Sequence, residues 1–467
     1  LLGFAGAAVG TLLTLSAIPL LVRLLPRDLP RLGTVKFDGV AVAAIFLATL
    51  LSSAVLALVP AGDGAGQDLP NQSARLTRRS RAAWLIVAET ALALVLAVLA
   101  SLTVRSFDRL RSADLGFDPS NVLAFRVALQ SSDGSAMPST VFEQLVERLR
   151  ATPGVEAVGL TSERPFRSGG SATTIAPLGA GAGDRSGLPG ADVRIVDRGF
   201  FEALNMTAIS GRLFSGGEGI GNPPLAVVNE ALVRALWRAE PNAVGRKFDF
   251  YMFDNVPPEI IGVVRDVRLT NPRLAARPTV YVSAAQFPRN VFDVVVRSAL
   301  GTAVIPSIRQ DVTDLAPGTP IYQLNTLSSI VADSMVRERV TAFLLAFFAV
   351  AALLLVAVGV YGLFAGEVAR GRREIGVRIA LGERSTRLVG SMLTRAMLRA
   401  AAGVVIGIAV SVLATRAVQG LLYGVLPNDT LSHAMAVGVV LVTAFVATLL
   451  PALQAARVDP VRALRAD

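Results

Sequence analysis

The chain contains no cysteine and a single histidine, His433. The first absence excludes a disulfide framework and thiolate metal sites. The second leaves His-based catalytic triads almost nothing to use and argues against structural or catalytic zinc. Lysine is nearly absent too. Lys36 and Lys247 are the only two, and neither follows a Gly-rich loop and precedes Ser or Thr, so there is no nucleotide-cradling P-loop. Charged residues make up only 17% of the sequence. Asp and Glu are scattered without paired-carboxylate spacing, and Gly169-Gly170-Ser171 has the composition of a loop rather than of a phosphate cradle. No residue set calls for a metal or another cofactor. An enzyme is the function class these absences disfavour most.

Apolar sequence is what the chain has in abundance, with 52% hydrophobic residues and a mean hydropathy of +0.56. Six runs approach or exceed the ~20 residues a bilayer-spanning helix needs. They cover Leu1–Val22, Val40–Val59, Ala83–Val104, Thr341–Ala365, Met397–Val418 and Ala434–Ala452. In lipid such runs must be helical, because every backbone polar group has to be satisfied within the segment. The first run lacks a basic leader and a small-residue cleavage motif, so it does not read as a signal peptide.

The start and the end of the chain repeat one another. Gly6 and Gly10, then Leu24-Leu25, are matched by Gly403 and Gly407, then Leu421-Leu422. Pro60-Ala61 with Asp68 is matched by Pro451-Ala452 with Asp459. Each G-x-x-x-G pair permits close helix approach. The repeat implies two membrane hairpins of one design flanking a polar insert, as expected for the later part of a longer, duplicated membrane protein.

The formal net charge is +10, nearly all of it arginine beside the apolar runs, which points to membrane topology rather than to nucleic acid. Arg75, Arg78, Arg79 and Arg81 follow the second run. Arg370, Arg372, Arg373, Arg378, Arg384 and Arg387 follow the fourth, and Arg457, Arg462 and Arg465 follow the sixth. The loop around 420–432 has no basic residue. The positive-inside rule then puts those three segments in the cytoplasm and the large insert outside. Arg23, Arg27, Arg31 and Lys36 dissent, partly offset by Asp28 and Asp38. Glu89 lies within the third run, where a carboxylate is either a functional group or one satisfied by a neighbouring helix or by headgroups.

The expected fold is an α-helical integral membrane protein of six transmembrane helices with an α+β extracytoplasmic domain of two interleaved subdomains. Its parts are two helices over 1–60, a basic linker over 61–82, a helix over 83–104, the insert over 105–338 with an inner subdomain near 192–288, and a three-helix domain over 339–467. Within the insert, strands are expected at Asn121–Leu129, Val155–Leu160, Val193–Val196, Leu225–Val228, Phe248–Tyr251, Glu259–Val267, Thr279–Val282, Phe292–Val296 and Pro320–Leu324. Thr140 to Glu143 has the spacing of a capping box. The Gly- and Ser-rich stretch Ser168–Ala191 reads as a mobile loop. Apolar stripes Val104/Phe107/Leu110 and Leu327/Val331/Met335 suggest two helices leaving the bilayer as a paired stalk.

Glu367–Leu388 is the most distinctive stretch. Ile375, Ile379 and Leu381 supply apolar surface, while Arg372, Arg373, Glu374 and Arg378 supply charge. Physically this is either a short amphipathic helix lying on the membrane or in a partner's groove, or a solvated basic loop.

Glu374-Ile-Gly376-Val-Arg378-Ile-Ala380-Leu-Gly382 resembles the E-x-G-x-R-x-A-x-G signature of MacB/FtsX-type ABC transporter permeases. The ending from Pro451 through Asp459-Pro460 to Arg465 is similar to that family's C-terminus. Val228-Asn229-Glu230-Ala231, Val244-Gly245-Arg246 and Ile261 to Val267 resemble its periplasmic core domain. Arg79–Leu123 looks like the start of the second unit of the large duplicated permeases first noted in acidobacteria. In the front copy, Ala61–Gly66 is Gly-rich where the later copy has Ala-Leu-Gln-Ala-Ala-Arg. The resemblance implies a multi-pass protein of the bacterial inner membrane with a large periplasmic domain. It implies a coupling segment containing Arg373, Glu374, Gly376, Arg378, Ala380 and Gly382 that engages a cytoplasmic ABC ATPase. Membrane lipid is a further expected partner, and a second permease unit and periplasmic proteins are compatible ones. The implied activity is mechanotransmission for export of a substrate, and the alternative is a transmembrane signal to a periplasmic partner.

Overall fold

A computed structural model describes residues 72–129, 139–166, 171–180, 187–237, 242–250, 256–381, 383–426 and 428–457. The two front helices, Gly6, Gly10, Gly382 and the tail from 458 lie outside the described residues. The chain divides into two compact units, 1–110 with 336–467, and 111–335.

The first unit contains four helices long and apolar enough to cross a membrane among the described residues. They are α1 (Gln72–Arg111), α7 (Val336–Arg370), α9 (Ser385–Val418) and α10 (Thr430–Ala456). Two apolar clusters run along them. Ile86, Ala93, Val356, Val360, Phe364 and Ala396 form one, and Leu94, Val98, Leu102, Val404, Val425, Ala436 and Val440 the other. The outer faces keep large side chains exposed, among them Leu354, Leu355, Val358, Val405, Leu413 and Val442. That pattern suits helices whose surroundings are as apolar as their interior.

Among the described residues, the second unit is built on an eleven-stranded sheet. In chain order its elements are β1 (Val122–Ala128), α2 (Ser139–Ala151), β2 (Val155–Thr161), β3 (Ser171–Pro177), β4 (Gly190–Val196), α3 (Arg198–Ala203), β5 (Ala208–Gly211), β6 (Leu225–Asn229), α4 (Glu230–Leu236), β7 (Phe248–Phe250), β8 (Glu259–Val264), β9 (Thr279–Ser283), β10 (Val291–Ser298), α5 (Ile305–Leu315), β11 (Ile321–Thr326) and α6 (Leu327–Ser334). The strand order is β11-β1-β10-β2-β4-β9-β6-β8-β5, with β3 beside β4 and β7. Pairing is antiparallel except for β4 with β9 and β6 with β8. The strands nearest the two ends of the insert thus lie together, and the middle of the sequence fills the rest of the sheet. Between the two halves, β2 and β4 are in register at one residue pair, Thr161 with Val196.

The helix α3 fastens this junction. Asp197 caps it and accepts hydrogen bonds from the Phe200 and Leu160 amides at 2.9 and 2.8 Å, so one carboxylate ties α3 to β2. Two glycines allow the approach. A Cβ on Gly159 would lie 2.1 Å from the Phe200 nitrogen, and one on Gly199 would lie 1.9 Å from the Val158 oxygen. Burial pushes the Asp197 carboxyl up to about 6, against hydrogen bonds that favour its ionised form.

Charge inside the sheet is hydrogen-bonded. Arg126 of β1 grips the fully buried Asp293 of β10 through two hydrogen bonds of 3.0 and 2.7 Å, and the Arg164 amide donates a third at 3.0 Å. Arg194 is buried and donates to the Glu163 carbonyl at 2.7 Å.

Several expectations need correction. The supposedly mobile Gly/Ser stretch contains β3, because Thr173, Thr174 and Ile175 form a β-branched run with Ile175 fully buried. The amphipathic helix starts at Ser139, so Thr140 lies inside it rather than capping it. The stripe Leu327/Val331/Met335 does not continue into the next apolar helix. It lies on the separate α6, and Met335 leaves helical geometry before α7 begins.

Candidate functional site

The stretch Glu367–Leu388 folds as a short helix, α8 (Arg372–Ala380), between α7 and α9. Gly371 ends α7 with its amide on the Glu367 carbonyl at 2.9 Å and starts α8 by accepting from the Ile375 amide at 2.9 Å. The chain leaves α8 at Leu381, and Glu383 donates back to the Arg378 carbonyl at 3.0 Å before α9 starts from Arg384. A helix thus occupies most of the loop, with turns at both ends.

One face of α8 is glued to the bundle. Ile375 is buried and Ile379 partly so, packed against Val368 of α7, Leu388 and Met392 of α9, and Ala452 and Ala455 of α10. Burying a side chain of this size contributes about 1.5–3 kcal/mol, enough to make so short a helix follow the helix ends around it. Gly376 lies on the same buried side. The other face carries Glu374, Val377, Arg378 and Leu381, the last 82% exposed. Glu374 and Arg378 form an i, i+4 ion pair that leaves both side chains mostly in solvent. Ala380 is exposed as well. The backbone of Arg373 is helical, and Gly382 lies outside the described residues.

The exposed face therefore combines an acid, a base and two aliphatic groups at spacings of three, four and seven, the pattern of a helix that docks into a groove. Of the three aliphatic residues that supply apolar surface, Leu381 belongs to this exposed face, whereas Ile375 and Ile379 turn towards the bundle. Val377 was overlooked, although its position three after Glu374 and four before Leu381 is a readable signal.

Gly403 and Gly407 lie on α9 where it meets α1. A Cβ on Gly403 would come 2.7 Å from Thr90 Cβ and 2.8 Å from the Val87 carbonyl oxygen. One on Gly407 would come 2.9 Å from Leu94 Cδ2 and 3.0 Å from the Ala91 carbonyl oxygen. On another side of α1, the half-buried Glu89 lies against Gly359 of α7, where a Cβ would stand 2.5 Å from its Oε2. No group of His, Cys, Asp or Glu among the described residues could hold a metal ion.

Residues 346–460 match the family model of the FtsX-like permease C-terminal domain, and residues 85–315 match that of the MacB-like periplasmic core domain. Among curated proteins, the chain is 25% identical over 285 residues to a macrolide export ATP-binding/permease protein MacB of Marinobacter nauticus, covering 59% of this chain and 44% of the relative. It is 27% identical over 277 residues to the MacB of an Azoarcus species, covering 57% and 41%. It is 26% identical over 295 residues to a pyoverdine export ATP-binding/permease protein PvdT of Pseudomonas fluorescens, covering 58% and 42%. The matches thus span less than half the length of these relatives. Among solved structures, the periplasmic region of MacB from Actinobacillus actinomycetemcomitans aligns with a TM-score of 0.33 and 13% identity, over 46% of this chain and 92% of that one. The extracellular domain of the ABC-type transporter YknZ from Gram-positive bacteria aligns with a TM-score of 0.29 and 15% identity, over 44% and 99%.

Proposed function

The chain belongs to the MacB/FtsX-type ABC transporter permeases, and from that premise we propose that it couples a cytoplasmic ABC ATPase, docked on α8, to its periplasmic core domain. The observation that carries this reading is the two-faced geometry of α8. Its inner face is packed against α7, α9 and α10, while Glu374, Val377, Arg378 and Leu381 face outward. A partner that pulls on such a helix moves the membrane helices with it. No lysine of this chain sits in a P-loop, so the ATPase that does the pulling is supplied by other residues than these.

Arginines at 370, 372, 373, 378, 384 and 387 favour the cytoplasmic side for α8, and the basic-free loop between α9 and α10 favours the opposite side. In this reading the protein sits in the inner membrane with six crossings, the front two contributed by 1–60. The core domain consists of two interleaved subdomains, the inner one near 192–288. Gly403 and Gly407, and Gly6 and Gly10 in the front copy, pack helices closely. The cargo is exported or extruded. The relatives are named for macrolide and for pyoverdine export, two unlike cargoes, so the export class transfers to this chain and a particular cargo does not.

The test is to co-express the full-length protein with a candidate ATPase, with and without Glu374→Ala and Arg378→Ala. The expected result is loss of co-purification and of ATPase stimulation in the variants. Both measures unchanged would sink the docking role.

A further inference from the structure

Beyond the glycine seam, the outward end of α1 carries Arg105, Arg109 and the terminal Arg111, and the first two stand on the side of the membrane that the positive-inside rule disfavours for basic residues. Their partners come from far along the chain, in the loop between α9 and α10. Arg105 Nη1 donates to Asp429 Oδ2 and, at 3.1 Å, to Ser432 Oγ. Arg109 Nη1 donates to the Gly424 carbonyl. Between them the buried Ser106 accepts the Tyr423 amide at 2.7 Å. Three side chains on little more than one turn of α1 thus hold three points of one loop.

The loop is built to be held. Asp429 is its only charged residue between Val418 and Ser432. It also caps α10, accepting from the Ser432 amide and hydroxyl at 2.9 and 2.6 Å. Val425 is buried in the cluster that contains Leu102 of α1, Val404 of α9 and Val440 of α10. Gly424 has a positive φ of 65° and turns its carbonyl to Arg109. Arg105 and Asp429 keep only 25% and 19% of their side chains exposed, so the pair is far better shielded than Glu374 with Arg378 at the other end of the bundle.

We propose that Arg105, Ser106 and Arg109 form an outer clamp through which the α9–α10 loop grips α1, so that α1, α9 and α10 move as one body when α8 is displaced. The clamp and the glycine seam at Gly403 and Gly407 are two locks at different depths on the same helix pair. With both closed, a displacement of α8 carried by α9 reaches the outer end of α1, from which the chain runs on through residues 112–121 to β1. Arg105 and Asp429 are positioning residues in this scheme. The transmission half of the proposal rests on the docking of an ATPase at α8, and the clamp itself does not.

The sequence has no cysteine to interfere with site-directed labels. Nitroxides on Val104→Cys and Gln419→Cys in lipid nanodiscs report the clamp by pulsed electron resonance. The expected distance distribution is narrow and unchanged when the partner ATPase and ATP are added. In Asp429→Asn it should broaden, and ATP should now separate the labels. The charge-swapped pair Arg105→Asp with Asp429→Arg should restore the narrow distribution, which a general folding defect would not allow. A distribution in Asp429→Asn as narrow as in the parent, with and without ATP, would overturn the clamp. Broadening with undiminished ATP-driven movement of the core domain would overturn its part in transmission. An ATPase that fails to bind at all refutes the docking at α8 and with it the transmission half, while the ATP-free distribution still decides the clamp.

Discussion

The two units of this chain treat charge and bulk in opposite ways. The helical unit turns large aliphatic side chains outward and joins its helices through small residues, with Gly403 and Gly407 against α1 and Gly359 against Glu89. The sheet unit hides its aliphatic residues and buries charge with them, as in Arg126 with Asp293 and in Arg194. Solvent explains the difference. In water a sheet must bury apolar surface to fold, and a charge taken along needs a partner. In lipid burying an apolar side chain gains little, so close packing decides helix association. On the proposed coupling role, movement passed along the helices would depend on a few tight contacts, while the core domain is held by its own network.

The largest effect of a substitution should come from breaking charge in the sheet. Asp293→Ala leaves the largely shielded Arg126 and the Arg164 amide without their partner and should cost about 3 kcal/mol, read as a lowered unfolding midpoint of the core domain. Replacing both residues by apolar ones of similar volume should cost far less, because no orphan charge remains. Equal losses in the single and double variants would show that an orphaned charge is not what the sheet unit avoids.

Bulk is the corresponding probe of the helices. Gly403→Val would drive a side chain into Thr90 and the Val87 carbonyl and should cost about 1–3 kcal/mol. Gly438→Val on α10, where no atom lies within 4 Å of an added Cβ, should be tolerated. Thermal aggregation of the purified protein separates the two.

A pH-dependent effect belongs to the junction inside the sheet. Burial lifts the Asp197 carboxyl from 3.8 to about 6 in the folded protein. The folded state then holds its proton to higher pH than the unfolded chain does, so stability falls as pH rises from about 4 through about 6 and stays level above. The loss should be about 3 kcal/mol, and Asp197→Asn should flatten it. Glu218 has the opposite sign. Burial would raise it, but hydrogen bonds from the Ser215 amide and hydroxyl, Arg212 and the Gly216 amide outweigh that and hold it at about 2. Its contribution is present above the unfolded value near 4.5 and is lost as pH falls through about 2. Melting curves of the parent, Asp197→Asn and Glu218→Gln between pH 2 and 7 distinguish these slopes.

Sequence and structure agree best where one local pattern decides the outcome. Long apolar runs foretold α1, α7, α9 and α10, and alternating or fully apolar stretches foretold β1, β2, β6, β9 and β10. Local pattern failed where composition misled, as for β3 amid Gly and Ser, and where a boundary hung on one residue, as at Met335 between α6 and α7. The candidate site was legible as a segment but not as a surface, since only packing on Val368 and Met392 shows which of its aliphatic residues turn inward. Contacts such as Arg105 with Asp429 join residues more than three hundred positions apart and leave no mark in a single sequence.

The smallest effect on stability should accompany the largest on function. Glu374→Ala removes an exposed ion pair worth no more than about 0.5 kcal/mol, so a melting curve should barely register it, although docking should be lost. The most direct measurement on α8 itself is a photo-crosslinker placed at Leu381 in the full-length protein, in membranes that contain the candidate ATPase. A crosslink to the ATPase that Glu374→Ala abolishes, while folding is unchanged, is the predicted result. No crosslink from Leu381, with ATPase stimulation intact, would contradict the assignment of α8 as the coupling helix.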